Sequence, residues 1–91
     1  MRTVVWSSKA LDDVDRMVAY ISADNRRAAL QLADRIEESV RPAAHFPEMF
    51  RNGRLKGTRE IVAHPNYIVV YRITAKHIIV TAVVHSKRKY P

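Results

Sequence analysis

TREIVAHPNYIVVYRITAKHIIVTAVVH, Thr58 to His85, decides the fold. Within it the apolar period falls toward two. Arg59 to Ala63 reads as a strand, His64-Pro65-Asn66 supplies a turn, and Tyr67 to Ile73, β-branched and aromatic apart from Arg72, is a second strand. Thr74-Ala75-Lys76 makes a tight link, and His77 to Val84 forms a third strand. Three consecutive strands joined by short turns form an antiparallel meander.

Toward the N-terminus the period changes to that of a helix. Ala10, Leu11, Val14, Met17, Val18 and Ile21 form one apolar stripe, with Ser7 or Ser8 placed to cap it and Asp12 and Asp13 at its positive end. Ala28, Ala29, Leu32, Ala33, Ile36 and Val40 repeat the pattern after a cap at Asp24 or Asn25, and Pro42 and Pro47 close it. Arg2 to Trp6 reads as a short strand before both helices. Met49 to Thr58 holds both glycines and three cations, the profile of a basic loop. The order is β-α-α-β-β-β, an α+β fold in one domain over residues 1–91. Its helical hairpin packs on one face of a four-stranded, mainly antiparallel sheet. Two helices with one stripe each leave the other face for solvent or a partner.

Charge is unevenly spread. Residues 1–50 carry seven Lys/Arg and eight Asp/Glu, whereas residues 51–91 carry nine Lys/Arg against Glu60 alone. A field with that direction attracts polyanions and acidic surfaces. The absence of cysteine excludes disulfides, thiolate chemistry and finger-type zinc sites. His45, His64, His77 and His85 have no metal-ligand spacing, so neither metal nor cofactor is expected. Ile78 to Val84 is too short an apolar run to cross a bilayer, and no signal peptide is read at the N-terminus, so a cytoplasmic protein without membrane contact is expected.

Alternation along the last strand sets Ile78, Val80, Ala82 and Val84 on one side and His77, Ile79, Thr81, Val83 and His85 on the other. The first set is uniformly apolar and suits the helix-covered face, which leaves His85 at the end of the open face. An imidazole accepts or donates a proton near neutrality. Lys87, Arg88 and Lys89 beside it could hold a phosphate and its developing charge. The alternative is a strand-end histidine bonded to backbone, followed by a frayed tail. Arg51, Arg54, Lys56 and Arg59 form a second cluster around Gly53 and Gly57, fit for sugar-phosphate contact or for plain solvation. Arg72 interrupts an apolar strand and either pairs with Glu60 or faces the open side as a phosphate contact. Tyr90, inside the basic tail, is the candidate for base stacking.

The segment GRLKGTREIVAHPNYIVVYRI (Gly53 to Ile73), the ending IIVTAVVHSKRKYP, and WSSKALDDVDRMVAYI (Trp6 to Ile21) together resemble the RelE/ParE superfamily of type II toxin-antitoxin toxins. The resemblance spans essentially the whole chain. It implies one of two activities. RelE-like members cut mRNA in the ribosomal A site, using the RNA's 2′-hydroxyl as nucleophile; ParE-like members poison DNA gyrase without hydrolysis. Both are silenced by a cognate antitoxin in a toxin-antitoxin hetero-oligomer. The resemblance places His85 near a catalytic histidine, Arg88 on a phosphate-gripping arginine and Arg59 near an active-face lysine. Arg54, Lys56, Arg72, Lys87, Lys89 and Tyr90 would then contact nucleic acid. Ile61 and Ile68 stand where RelE has a further lysine and an arginine, and the tyrosine of its C-terminal helix has no counterpart unless Tyr90 serves. The first expectation is therefore a ribosome-dependent endoribonuclease acting with ribosome and mRNA, and the second a gyrase inhibitor.

Overall fold

The computed structural model describes residues 1–88 and 90; the Lys89 assignment lies outside the described residues. The chain runs β1 (Thr3–Trp6), α1 (Ser8–Ser22), α2 (Arg26–Ser39), α3 (Arg41–His45), β2 (Arg51–Asn52), β3 (Arg59–His64), β4 (Tyr67–Ile73) and β5 (His77–His85). The strands form one sheet in the order β1-β5-β4-β3-β2, with β1 parallel to β5 and every other pair antiparallel.

Capping fixes where the helices start. The Ser7 hydroxyl accepts the Ala10 N–H at 3.1 Å, and the Asn25 side-chain oxygen accepts the Ala28 N–H at 3.0 Å. Each satisfies one of the first-turn donors that a helix leaves unpaired. α1 and α2 pack side by side on one sheet face. Ala10, Met17, Ile36 and Val40 meet Ile61, Ala63, Val69, Tyr71, Ile78, Val80 and Val83 in a single core.

The α+β architecture agrees with expectation, with two additions. Pro42 does not simply end the second helix; it sits in the first turn of α3, where a missing N–H costs nothing. The basic loop contains β2, two residues long, so the sheet has five strands rather than four.

The helix-free face is less bare than expected. Ile68 and Val70 alternate with the core residues of β4 and so point away from the helices, yet both are buried. Glu60, opposite Val70 on β3, holds the β2–β3 loop over this region, and Arg54 of that loop stacks its guanidinium on Tyr90 at 4.6 Å. Loop and tail together roof the middle of the face. Val62 and Arg72, farther out, stay exposed.

Candidate functional site

The last strand carries one residue too many for a regular ladder. Val70 pairs with Ala82 but Tyr71 with Val80, so Thr81 forms a bulge. A bulge inverts the alternation beyond it. Val83 and His85, expected on the open face, therefore turn to the helix side, where Val83 is buried and His85 pairs with Tyr67. Three contacts hold the bulge. The Ser7 hydroxyl donates to the Thr81 carbonyl at 3.3 Å, the Thr81 hydroxyl to the Val70 carbonyl at 3.3 Å, and the Val83 N–H to the Asp13 carboxylate at 3.0 Å. β1 ends opposite Val80, so α1 supplies the partners that a longer β1 would have given.

His85 consequently lines a cleft between the helical hairpin and the end of the sheet. Its ring meets Tyr67 edge-on, with centroids 5.3 Å apart, and His64 lies 6.2 Å from Tyr67 on the other side. One lobe, about 530 Å³, adds Tyr20, Leu32, Arg35 and Asn66; the second, about 510 Å³, adds Asp13, Arg16, Met17 and Arg88. The strand end is tied down around it. Ser86 N–H reaches the Asn66 carbonyl at 2.8 Å, and Lys87 N–H reaches His85 Nδ1 at 3.2 Å. That bond leaves Nε2 as the nitrogen able to exchange a proton with a ligand. Arg35 is committed elsewhere, its Nε donating to the Ala63 carbonyl at 2.8 Å.

Of the expected site residues, the structure brings His85 and Arg88 together on this cleft and holds Arg59, Arg54, Lys56 and Arg72 away. Arg59 lies at the opposite end of the sheet. It pairs with Tyr71 while His85 pairs with Tyr67. Four residues of β4, roughly 13 Å, and two strand spacings, roughly 10 Å, separate their backbones. The Arg59 guanidinium donates to the carbonyls of Phe50 at 2.7 Å and Glu48 at 3.3 Å. Tyr71 donates its hydroxyl to the Pro47 carbonyl, so the two residues together pin the Pro47–Phe50 loop. Burial raises the Tyr71 phenol above its ordinary range, and nearby Arg59 offsets part of that.

Arg54, Lys56 and Arg72 gather at the Arg59 end. Arg72 does not pair with Glu60: its partner across the ladder is Ile79, and its Nη1 reaches the Lys56 carbonyl at 3.5 Å. Glu60, 3% exposed, is taken by Arg51 (3.0 Å) and by the Arg54 N–H (3.1 Å). Lys87 is exposed beside the cleft. Arg54 covers one face of the Tyr90 ring, and the Tyr90 hydroxyl is buried. Among the described residues, no three His, Asp or Glu side chains gather as a metal site would require. No described helix is long and apolar enough to cross a membrane.

The sequence reading overlooked Asp13, Arg16, Tyr20, His64 and Asn66 as neighbours of His85. Tyr20, a large aromatic left 78% exposed at the end of the α1 stripe, was the available signal.

The chain matches, over residues 4–90, the model of the ParE toxin of type II toxin-antitoxin system, parDE. It is 35% identical to Y4kP of Sinorhizobium fredii over 91 residues, covering 99% of this chain and 94% of that one. To the toxin RelE2 of Caulobacter vibrioides it is 30% identical over 90 residues, covering 97% and 99%. Its structure superposes on a chain of the chromosomal ParDE system from P. aeruginosa with a TM-score of 0.81 at 21% identity, covering 93% and 96% of the two chains.

Proposed function

From a chain that belongs to the ParE toxin family within the RelE/ParE superfamily of type II toxin-antitoxin systems, we propose a toxin that acts by the ParE-like route. It would bind DNA gyrase and hold it in a poisoned state without hydrolysing anything itself, and a cognate antitoxin would silence it. The separation of His85 from Arg59 carries this reading. In-place cleavage of RNA needs a proton-transfer group and a phosphate grip around one scissile bond, within hydrogen-bond reach of it. Here the two stand at opposite ends of the sheet, and Arg59 gives its Nη1 donors to loop carbonyls. Ile61 and Ile68, where RelE has cations, are buried apolar positions. No cation replaces them at those points.

Purified toxin incubated with gyrase, plasmid and ATP should accumulate linear DNA after detergent and protease treatment, with His85→Ala nearly as effective. Translating ribosomes given the same protein should keep their mRNA intact. Cleaved mRNA without trapped gyrase would overturn the proposal.

One observation favours the endoribonuclease reading as the second choice. His85, whose Nδ1 accepts the Lys87 N–H, has Nε2–H as a proton donor beside a cleft that Arg16 and Arg88 also line, so a general acid and two phosphate ligands could act there without Arg59. That route predicts loss of mRNA cleavage in His85→Ala.

A further inference from the structure

We propose that the loop end of the sheet, built from Arg51, Arg54, Lys56 and Arg72, is a contact surface for the phosphate backbone of duplex DNA. It deepens the gyrase reading, since a toxin that also grips the DNA held by gyrase has a second anchor there. Its test needs no gyrase.

The first support is unbalanced charge. Five cations, Arg59 included, stand at this end against Glu48 and Glu60. Glu60 is buried and already engaged by Arg51 and Arg54. Among the described residues, neither Lys56 nor Arg72 has a carboxylate within ion-pair distance. Unpaired cations on one rim are what a polyanion with closely spaced charges neutralises best.

The second support is how the rim is built. Gly57 adopts φ +81°, and a Cβ there would stand 2.9 Å from Arg72 Nη1. The left-handed φ is what favours glycine at this position, and the exposed Arg72 guanidinium lies beside it, its Nη1 3.5 Å from the Lys56 carbonyl. The N–H groups of Leu55, Lys56 and Gly57 have no partner among the described residues, so the loop offers backbone donors beside its cations. A concavity of about 470 Å³ runs past Asn52, Lys56, Gly57 and Arg59. Backbone donors at a turn with a left-handed residue form an anion-binding concavity of the kind that accepts phosphate.

The third support separates duplex from single strand. Single-strand binders stack bases on exposed aromatic rings. Among the described residues no aromatic side chain lines the concavity, whose apolar members are Leu55 and Ile73, and Arg54 covers a face of the Tyr90 ring nearby. A surface with phosphate ligands and no stacking platform reads a backbone, not bases.

The full chain should be titrated by fluorescence anisotropy against labelled duplex DNA of arbitrary sequence and against single-stranded RNA of equal length, between about 50 and 200 mM salt. The duplex should bind more tightly. In the double variant Lys56→Ala/Arg72→Ala its affinity should fall tens of fold at the low-salt end, and the salt slope should drop by roughly 2, about 0.9 per lost phosphate contact. The charge-matched control Arg26→Ala/Arg27→Ala, on exposed positions of α2, should keep the wild-type slope. Circular dichroism melts establish that each variant is folded, and Lys56→Glu alone provides a second, single-site reading. Three outcomes overturn the proposal: no duplex binding at low salt, an equal loss in the control, or tighter RNA binding through the same two residues. DNA binding that survives while gyrase trapping fails would refute the gyrase reading and leave this one standing.

Discussion

Replacing Glu60 by glutamine changes two heavy atoms' chemistry and almost no volume, and so isolates what its charge does. The carboxylate is 3% exposed. One oxygen accepts Arg51 Nε and Nη2 at 3.1 and 3.0 Å, the other the Arg54 backbone N–H at 3.1 Å, with Arg54 Nε 3.9 Å away. An amide has one acceptor where the carboxylate has two. It can keep either the Arg51 fork or the Arg54 N–H, but its NH₂ then faces a donor. Arg51 and Arg54 are 55% and 43% exposed at their side chains, so their guanidinium groups can turn to water at little cost. The loss therefore centres on one unsatisfied buried donor and one charge-assisted fork, about 2–3 kcal/mol. For a chain of 91 residues, whose whole stability is roughly 5–14 kcal/mol, that is a large share.

Thermal melts followed by circular dichroism should drop by about 8–24 °C, at roughly 4–8 °C per kcal/mol for a domain of this size. The β2–β3 loop should loosen first, seen as faster amide exchange at Gly53 and Thr58, whose N–H···O bond (2.7 Å) closes the loop. A shift below about 3 °C, with that loop still protected, would refute the idea that Glu60 is the clamp between loop and sheet.

Tyr71→Phe removes a hydroxyl that satisfies the Pro47 carbonyl and should cost about 1–2 kcal/mol at neutral pH. Because burial raises the Tyr71 phenol, the stability it confers is whole below the unfolded value near ~10 and is lost as pH rises through the higher folded value. Denaturant midpoints above pH ~10 should therefore fall less steeply in Tyr71→Phe than in the wild type. Asp13→Asn keeps an acceptor for the Val83 N–H but loses the exposed pairs with Lys9 and Arg16, and should cost under about 1 kcal/mol. Asp13→Ala should cost about 2 kcal/mol and shift the NMR signals of His85 and Tyr67, because the bulge loses its α1 anchor.

What could be read from the sequence was whatever repeats. The stripes of α1 and α2 and the three long strands each sustain a period over several turns or pleats, so their existence and order were plain. β2 could not be seen in this way: Arg51 and Asn52 are both exposed, and two residues carry no period. Nor could the bulge. Residues 78–84 are apolar or threonine on both faces, so one extra residue leaves the alternation looking intact. The cations were legible as charge but not as geometry. Arg59 and Arg72 sit in similar surroundings in the sequence, yet one is bound to loop carbonyls and the other projects past Gly57. Only the register of β3 on β4 separates them, and register is a long-range property that local pattern does not contain.

That one-residue bulge carries consequences well beyond its own ladder. Without the bulge, a regular ladder continuing from Tyr71 opposite Val80 would pair Val70 with Thr81 and Val69 with Ala82, and His85 would fall on the side of Ile68 and Val70 under the loop-and-tail roof. With it, Val83 enters the core, His85 meets Tyr67 on the helix side, and the chain leaves the sheet beside α1. The basic second half of the sequence is thereby divided between two ends of one sheet: a histidine cleft against the helical hairpin, and a cationic loop rim at the far end. A single sheet of five strands in this way carries both features at its two ends, and Ser7 and Asp13 of the neutral half hold the division in place.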